Sequence, residues 1–226
     1  MNRFRFFPSL YVNKTVALTA SGRRCSTVVF VLTVDQRGSR SMTDLVPELL
    51  NILNRRPRRT GLLRKFERTA GDEVQGVLSE ARATIDVIVE LLRADIWYVG
   101  LGVGEVVEPL PRSTRAGSGD AFVFAREAVN RAKSSPYHVN VVGSDAHCAE
   151  QVETVLWLMA SVLRRRSDRG WAVADLLAEG LTRREIGVKL GISQSAVTQR
   201  AQAAGFAEEQ RGRVLAAELL EVGATA

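Results

Sequence analysis

Cysteine is scarce. Cys25 and Cys148 are the only two in 226 residues and lie far apart, so no disulfide framework can be read and a reducing, cytoplasmic compartment is expected. Histidine is as sparse: Asp145, His147 and Cys148 invite a metal reading, but His138 and Cys25 are the only further His and Cys to complete four zinc ligands. Asp145 or Ser144 is then a helix-start cap. No apolar run approaches the roughly 18 residues of a spanning helix, since residues 152–163 contain Glu153 and end at Arg164, Arg165 and Arg166. Walker loops, Ser-His-Asp constellations and dinucleotide fingerprints are also missing, because the glycines at 100, 102 and 104 do not open a helix at once.

What remains is a globular composition, 46% apolar and 25% charged, which excludes disorder, collagen and coiled-coil arrays and leaves room for one large domain or two small ones. The net charge of +6 is compatible with a polyanionic partner without naming one. Residues 1–11 carry Arg3 and Arg5 beside a short apolar patch broken by Pro8, and residues 1–24 read as an extension outside the fold.

Residues 27–34, TVVFVLTV, form a continuous β-branched run, the pattern of a strand buried on both faces, ending on Asp35. Leu45, Val46, Leu49, Leu50 and Leu53 then share a helical stripe with Ser41 or Thr43 as cap. The basic loop at 55–59 cannot be helical through Pro57 and is either plainly solvated or a phosphate contact. Residues 62–69 and 74–78 read as a hairpin turning on Gly71-Asp72-Glu73. A Ser79-capped helix to 92, a strand at 96–103, a helix at 121–132, a strand at 139–142 and a long helix at 150–166, leading away from the sheet, complete an α/β layer. The three alternate glycines at 100, 102 and 104 mark close backbone approach or a bulge.

After residue 166 no strand candidates remain. Short helices at 171–179, 183–190 and 194–204 end at Gly180, Gly191 and Gly205, with Thr182 and Glu185 forming a capping box and Ser193 capping the last. Ile186, Leu190, Ile192 and Val197 are spaced to bury a core between two helices that cross steeply at a Gly-containing turn. The line LTRREIGVKLGISQSAVTQRAQAAGF resembles the helix-turn-helix of the sigma-factor region-four and LuxR-type families. Such a unit lays its second helix in the major groove of double-stranded DNA. Ser193, Gln194, Ser195 and Thr198 stand at the start of that helix, Gln199 and Arg200 lie further along, and Arg183 and Arg184 are suited to phosphates. The alternative is a helical hairpin for protein contacts. A single unit binds DNA weakly, so a homodimer is expected, and the amphipathic helix at 208–222, with Val214, Leu215, Leu219 and Leu220, either supplies its seam or covers the small domain's core.

Asp35 at a strand end and Asp72-Glu73 at a hairpin tip can converge as a two-carboxylate magnesium site for nucleotide phosphates. Equally, Asp35 can pair with Arg37, and Asp72 can serve only the turn. The order of elements resembles the core shared by class III nucleotide cyclases and GGDEF cyclases, and the segments VDQRGSR, FERTAGDEVQGVL, GLGVGEV and GDAFVFAREAV together resemble the SatD family. That resemblance implies an α+β sandwich, nucleotide-cyclase-like and ferredoxin-like, at residues 25–166, with an all-α helix-turn-helix domain at 167–226. It maps nucleotide contacts to Asp35, Asp72, Glu73 and Arg126 and magnesium to Asp35 and Asp72. Phe122 stands where the cyclases carry a hydrogen-bonding Asn, so stabilisation of a transferring phosphoryl group is incomplete. The expected protein is a DNA-binding transcriptional regulator whose non-catalytic cyclase-like domain senses a ligand or dimerises; the alternative is a nucleotide cyclase or phosphotransferase using Asp35 and Asp72.

Overall fold

The structure, a computed structural model, describes residues 28–39, 41–54 and 61–225. The expected extension at 1–24 and the basic loop at 55–59 lie outside the described residues. Two compact units are formed, residues 28–164 with 208–225, and residues 165–207. Among the described residues the larger unit is α/β: β1 (Val28–Gln36), α1 (Val46–Asn54), the hairpin β2 (Leu62–Arg68) and β3 (Glu73–Leu78), α2 (Ala81–Ala94), β4 (Trp97–Glu105), α3 (Asp120–Ala132), β5 (Val139–Gly143) and α4 (Ala146–Arg164). The five strands form one mixed sheet in the order β2-β3-β1-β4-β5, antiparallel throughout except for the β4–β5 pair that α3 connects.

The continuous apolar run of β1 is explained by helices on both sides. Its odd residues Val29 and Val31 pack with Val77, Ala121 and Ala125 under α3, while Phe30, Leu32 and Val34 alternate to the face that α1 and α2 cover. Close approach of α3 is permitted by β4. A Cβ on Gly100 would lie 2.2 Å from the Val129 backbone nitrogen, and one on Gly102 would lie 2.1 Å from the Ala121 carbonyl. The expected reason for these glycines holds, and their register opposite Thr33 and Val31 sets α3 over the centre of the sheet.

Both sheet edges are closed by side chains. At β2, Asn54 accepts from the Phe66 N–H at 3.0 Å and donates to its carbonyl at 2.8 Å, copying a strand's pairing. At β5, Glu153 accepts from the Val141 N–H at 2.9 Å, and Trp157 donates to the Val139 carbonyl. The α4 helix therefore runs along the sheet edge rather than away from it, because its middle residues carry the groups that satisfy β5. Burial, with Glu150 adding to it, raises the Glu153 carboxyl pKa against the bonds from Val141 and Asn140 and the charge of Arg131. A raised folded-state pKa favours protonation on folding, so this contribution is full below the unfolded value of about 4.3 and lost as pH rises through the folded value. Glu153→Gln keeps an acceptor for Val141 without the charge. Its melting temperature is expected to exceed wild type at about pH 7 and to converge with it near pH 4, checked by thermal scans across that range.

Helix starts differ from the sequence reading in two places. Asp44, not Ser41 or Thr43, accepts from the Val46 N–H, while the buried Gln36 amide holds the preceding loop through Thr43 and Leu45. At α2 the N-cap is Glu80, without a side-chain bond, because Ser79 donates its hydroxyl to the Gly61 carbonyl. Asp145 does cap α4, accepting from the Cys148 N–H.

The smaller unit holds α5 (Asp168–Ala178), α6 (Arg183–Leu190) and α7 (Gln194–Ala203). The final helix α8 (Phe206–Gly223) belongs to the α/β unit from Glu208 onward. Its buried stripe is Glu209, Arg213, Ala216, Ala217 and Leu220, and of the apolar residues named on it from sequence Leu220 is buried, Leu219 half-buried, and Val214 and Leu215 exposed. Among the described residues no helix is long and apolar enough to cross a membrane.

Candidate functional site

The three helices α5 to α7 enclose a small core of Val173, Leu176, Ile186, Val197 and Ala201, with Leu177, Leu181, Leu190 and Ile192 packed at its margin. Thr182 caps α6 as a capping box: its hydroxyl accepts from the Glu185 N–H while its own backbone N–H and hydroxyl hold the Glu185 carboxyl below the usual carboxylate range. Gly191 closes α6 at φ +65°, and the Ile192 N–H returns to the Gly187 carbonyl at 3.0 Å. The turn presses on α6 so closely that a Cβ on Gly187 would lie 2.8 Å from the Ile192 carbonyl oxygen. Ser193 caps α7 by accepting from the Ala196 N–H.

With Val197 and Ala201 inward, α7 turns Ser195 and Gln199 outward, and both are exposed together with Gln194 and the cap Ser193. Thr198 and Arg200 are half-buried at the flanks, and the Thr198 hydroxyl is spent on the Gln194 carbonyl. Arg183 and Arg184 are exposed at the start of α6. A shallow depression of about 370 Å³ runs between the two helices, lined by Arg184, Val188, Ile192, Ser193 and Gln194. Residues 165–207 carry seven Arg and Lys against four Asp and Glu. Among the described residues Arg183, Arg184, Lys189 and Arg200 enter no ion pair, so their charge faces solvent.

The acidic residues of the larger unit meet at the end of β1, where Asp35 stands opposite Glu73 in the β1–β3 register. Asp72 lies one position further and uses its backbone carbonyl to accept from the Gln36 N–H. Two cations, Arg126 of α3 and its C-cap Lys133, seven residues apart and hence on one side of the helix, neutralise the pair. Lys133 Nζ lies 2.8 Å from Asp35, and Arg126 forks onto the buried Glu73, with Nη2 2.7 Å from Oε1 and Nη1 on Oε2. The Thr69 hydroxyl also donates to Glu73. Arg37 pairs with Asp95 at 3.3 Å and not with Asp35, its alternative partner on sequence. Phe122 fills the space beside Gly117, where its ring would meet any Cβ. A divalent cation needs free carboxylate oxygens, and here both oxygens of Glu73 and Oδ2 of Asp35 already serve protein cations. Among the described residues no group of three or more His, Cys, Asp and Glu is arranged to hold a metal ion.

Two features were not read from sequence. Gln202 and Lys189 are exposed, and Gln202 continues the outward stripe seven residues after Ser195, a spacing that was available. Around Asp95, Arg37 and Arg164 converge from distant segments, and burial, with both guanidiniums, pushes the His138 pKa down. No local spacing signals that cluster. Comparison of the chain with protein-family models, curated proteins and solved structures finds no match.

Proposed function

We propose that the chain is a sequence-specific DNA-binding transcriptional regulator of the cytoplasm. Residues 165–207 act as a helix-turn-helix, α7 enters the major groove of double-stranded DNA, and the α/β unit is a non-catalytic cyclase-like domain that senses a ligand or dimerises. The observation that carries this reading is the outward face of α7, polar along Gln194, Ser195, Gln199 and Gln202 and flanked by unpaired Arg183, Arg184 and Lys189. Amide and hydroxyl side chains on a groove-sized helix are base readers, and unpaired cations beside them are phosphate anchors. The strand order β2-β3-β1-β4, with antiparallel neighbours and a βαββαβ succession, supports the ferredoxin-like comparison. Neutralisation of Asp35 and Glu73 by Lys133 and Arg126 supports the non-catalytic side of it.

Selection of binding duplexes from a random pool tests the reading. Against an enriched site, Ser195→Ala and Gln199→Ala are each expected to cost about 1–3 kcal/mol and to relax sequence preference, while Arg183→Ala weakens all duplexes alike and lowers the salt slope by about 1. Failure to enrich any sequence, or unchanged affinity in all three variants, would overturn it.

A further inference from the structure

We infer that two copies of the chain associate through α8, antiparallel about a twofold axis that passes between Val214 and Leu215. The helix carries two stripes. The inner one, Glu209, Arg213, Ala216, Ala217 and Leu220, is docked on the α/β unit. The outer one, Arg211, Val214, Leu215, Glu218 and Val222, follows helical spacing of three, four, seven and eleven residues and is wholly exposed. Val214, Leu215 and Val222 are 46%, 47% and 62% exposed, and on α4 Leu158 is 65% exposed beside the Met159–Gly212 contact.

The occupant follows from the charges at the centre of the stripe, while the same register leaves Glu208 and Glu221 at the flanks near its ends. In an isologous pairing every contact is made twice, so the face must complement itself. About an axis between residues 214 and 215, position 211 meets 218 and position 214 meets 215. Arg211 of one copy then faces Glu218 of the other, and Val214 packs on Leu215, twice over. A parallel pairing would set Arg211 against Arg211 and Glu218 against Glu218. Strand addition, the other common route to self-association, is closed at both sheet edges by Asn54 and by Glu153 with Trp157.

Sedimentation of the full chain without DNA tests the seam independently of the DNA reading. Wild type is expected to sediment as a dimer, and Leu215→Glu as a monomer with unchanged circular dichroism and melting, since Leu215 is not part of the folded core. Val222→Glu gives the same readout at a still more exposed position. Arg211→Glu and Glu218→Arg are each expected to weaken association about tenfold, and combining both in one chain restores it to near wild type, as a double-mutant cycle requires. A monomeric wild type, a dimer indifferent to Leu215→Glu and Val222→Glu, or a charge exchange that fails to restore would overturn the inference. A dimer that ignores DNA would leave it standing and count only against the DNA reading.

Discussion

Replacement of Arg213 by Met is expected to cost about 3–5 kcal/mol of unfolding free energy, the range seen when one partner of a buried ion cluster is removed. Arg213 bonds Asp86 of α2 at 2.7 Å and Glu209, one turn back on α8, at 2.6 and 2.9 Å, and its side chain is only 13% exposed. Desolvation works against the guanidinium charge, and the two carboxylates overcome it, so its pKa is raised rather than lowered. Met fills similar volume without charge and removes the guanidinium that Asp86 and Glu209, the latter 4% exposed, share. Urea unfolding of the whole chain measures the loss. Adding Glu209→Leu to Arg213→Met is expected to recover much of it, because an apolar pair no longer pays desolvation. A single-variant loss below about 1 kcal/mol would mean that solvent screens the cluster as it does a surface pair. Docking by Arg213 also fixes which side of α8 faces out, so the same substitution is expected to weaken self-association.

The elements of this fold were legible where one physical signal dominated. Doubly buried β1 announced itself by an unbroken β-branched run, α6 by its capping box, and the ends of the carboxy-terminal helices by Gly180, Gly191 and Gly205, all of which take positive φ. The amphipathic face of α8, legible as a seam or as a cover, divides in the structure, with Leu220 buried and Val214 and Leu215 exposed. Its strongest apolar residues, Val214 and Leu215, lie on the exposed stripe, while its docked stripe is built from alanines around an Arg–Glu pair. A hydrophobicity pattern assigns the greasier side inward, and only the distant Asp86, 127 residues before Arg213, makes the charged side the buried one. The acidic site was half legible for a related reason. Asp35 was found at its strand end, but its neighbour is Glu73 rather than Asp72, a one-residue difference in register set by the hairpin. Its cations, Arg126 on α3 and Lys133 at the end of that helix, lie 53 and 98 residues from Glu73 and Asp35 in sequence, and of the two only Arg126 is singled out by the sequence. On α7 the outward positions were mostly readable from helical spacing alone, because a short helix with two buried residues leaves little choice of face.

Gly102→Ala is expected to be among the most damaging single-methyl additions to the larger unit, with a loss of about 3 kcal/mol or more, at the upper end for overpacked sites. The added Cβ would meet the Ala121 carbonyl at 2.1 Å and the Ala125 nitrogen at 2.4 Å. Both are backbone atoms of α3, so no side chain can rotate aside and the helix itself must lift. Lifting α3 exposes Val31, Val77 and Ala125 beneath it and carries Arg126 and Lys133 away from Glu73 and Asp35, leaving a buried carboxylate without its cation. Gly104→Ala is the control. It stands on the same strand and face, but its Cβ would come no closer than 3.2 Å to the Ala121 nitrogen and the movable Phe124 ring, so a small cost is expected. Chemical denaturation of the two variants side by side separates the explanations. A large loss confined to Gly102→Ala follows if α3 contact sets the requirement for glycine, whereas equal effects in the two variants would show that this contact does not set it, since strand preference alone favours alanine over glycine.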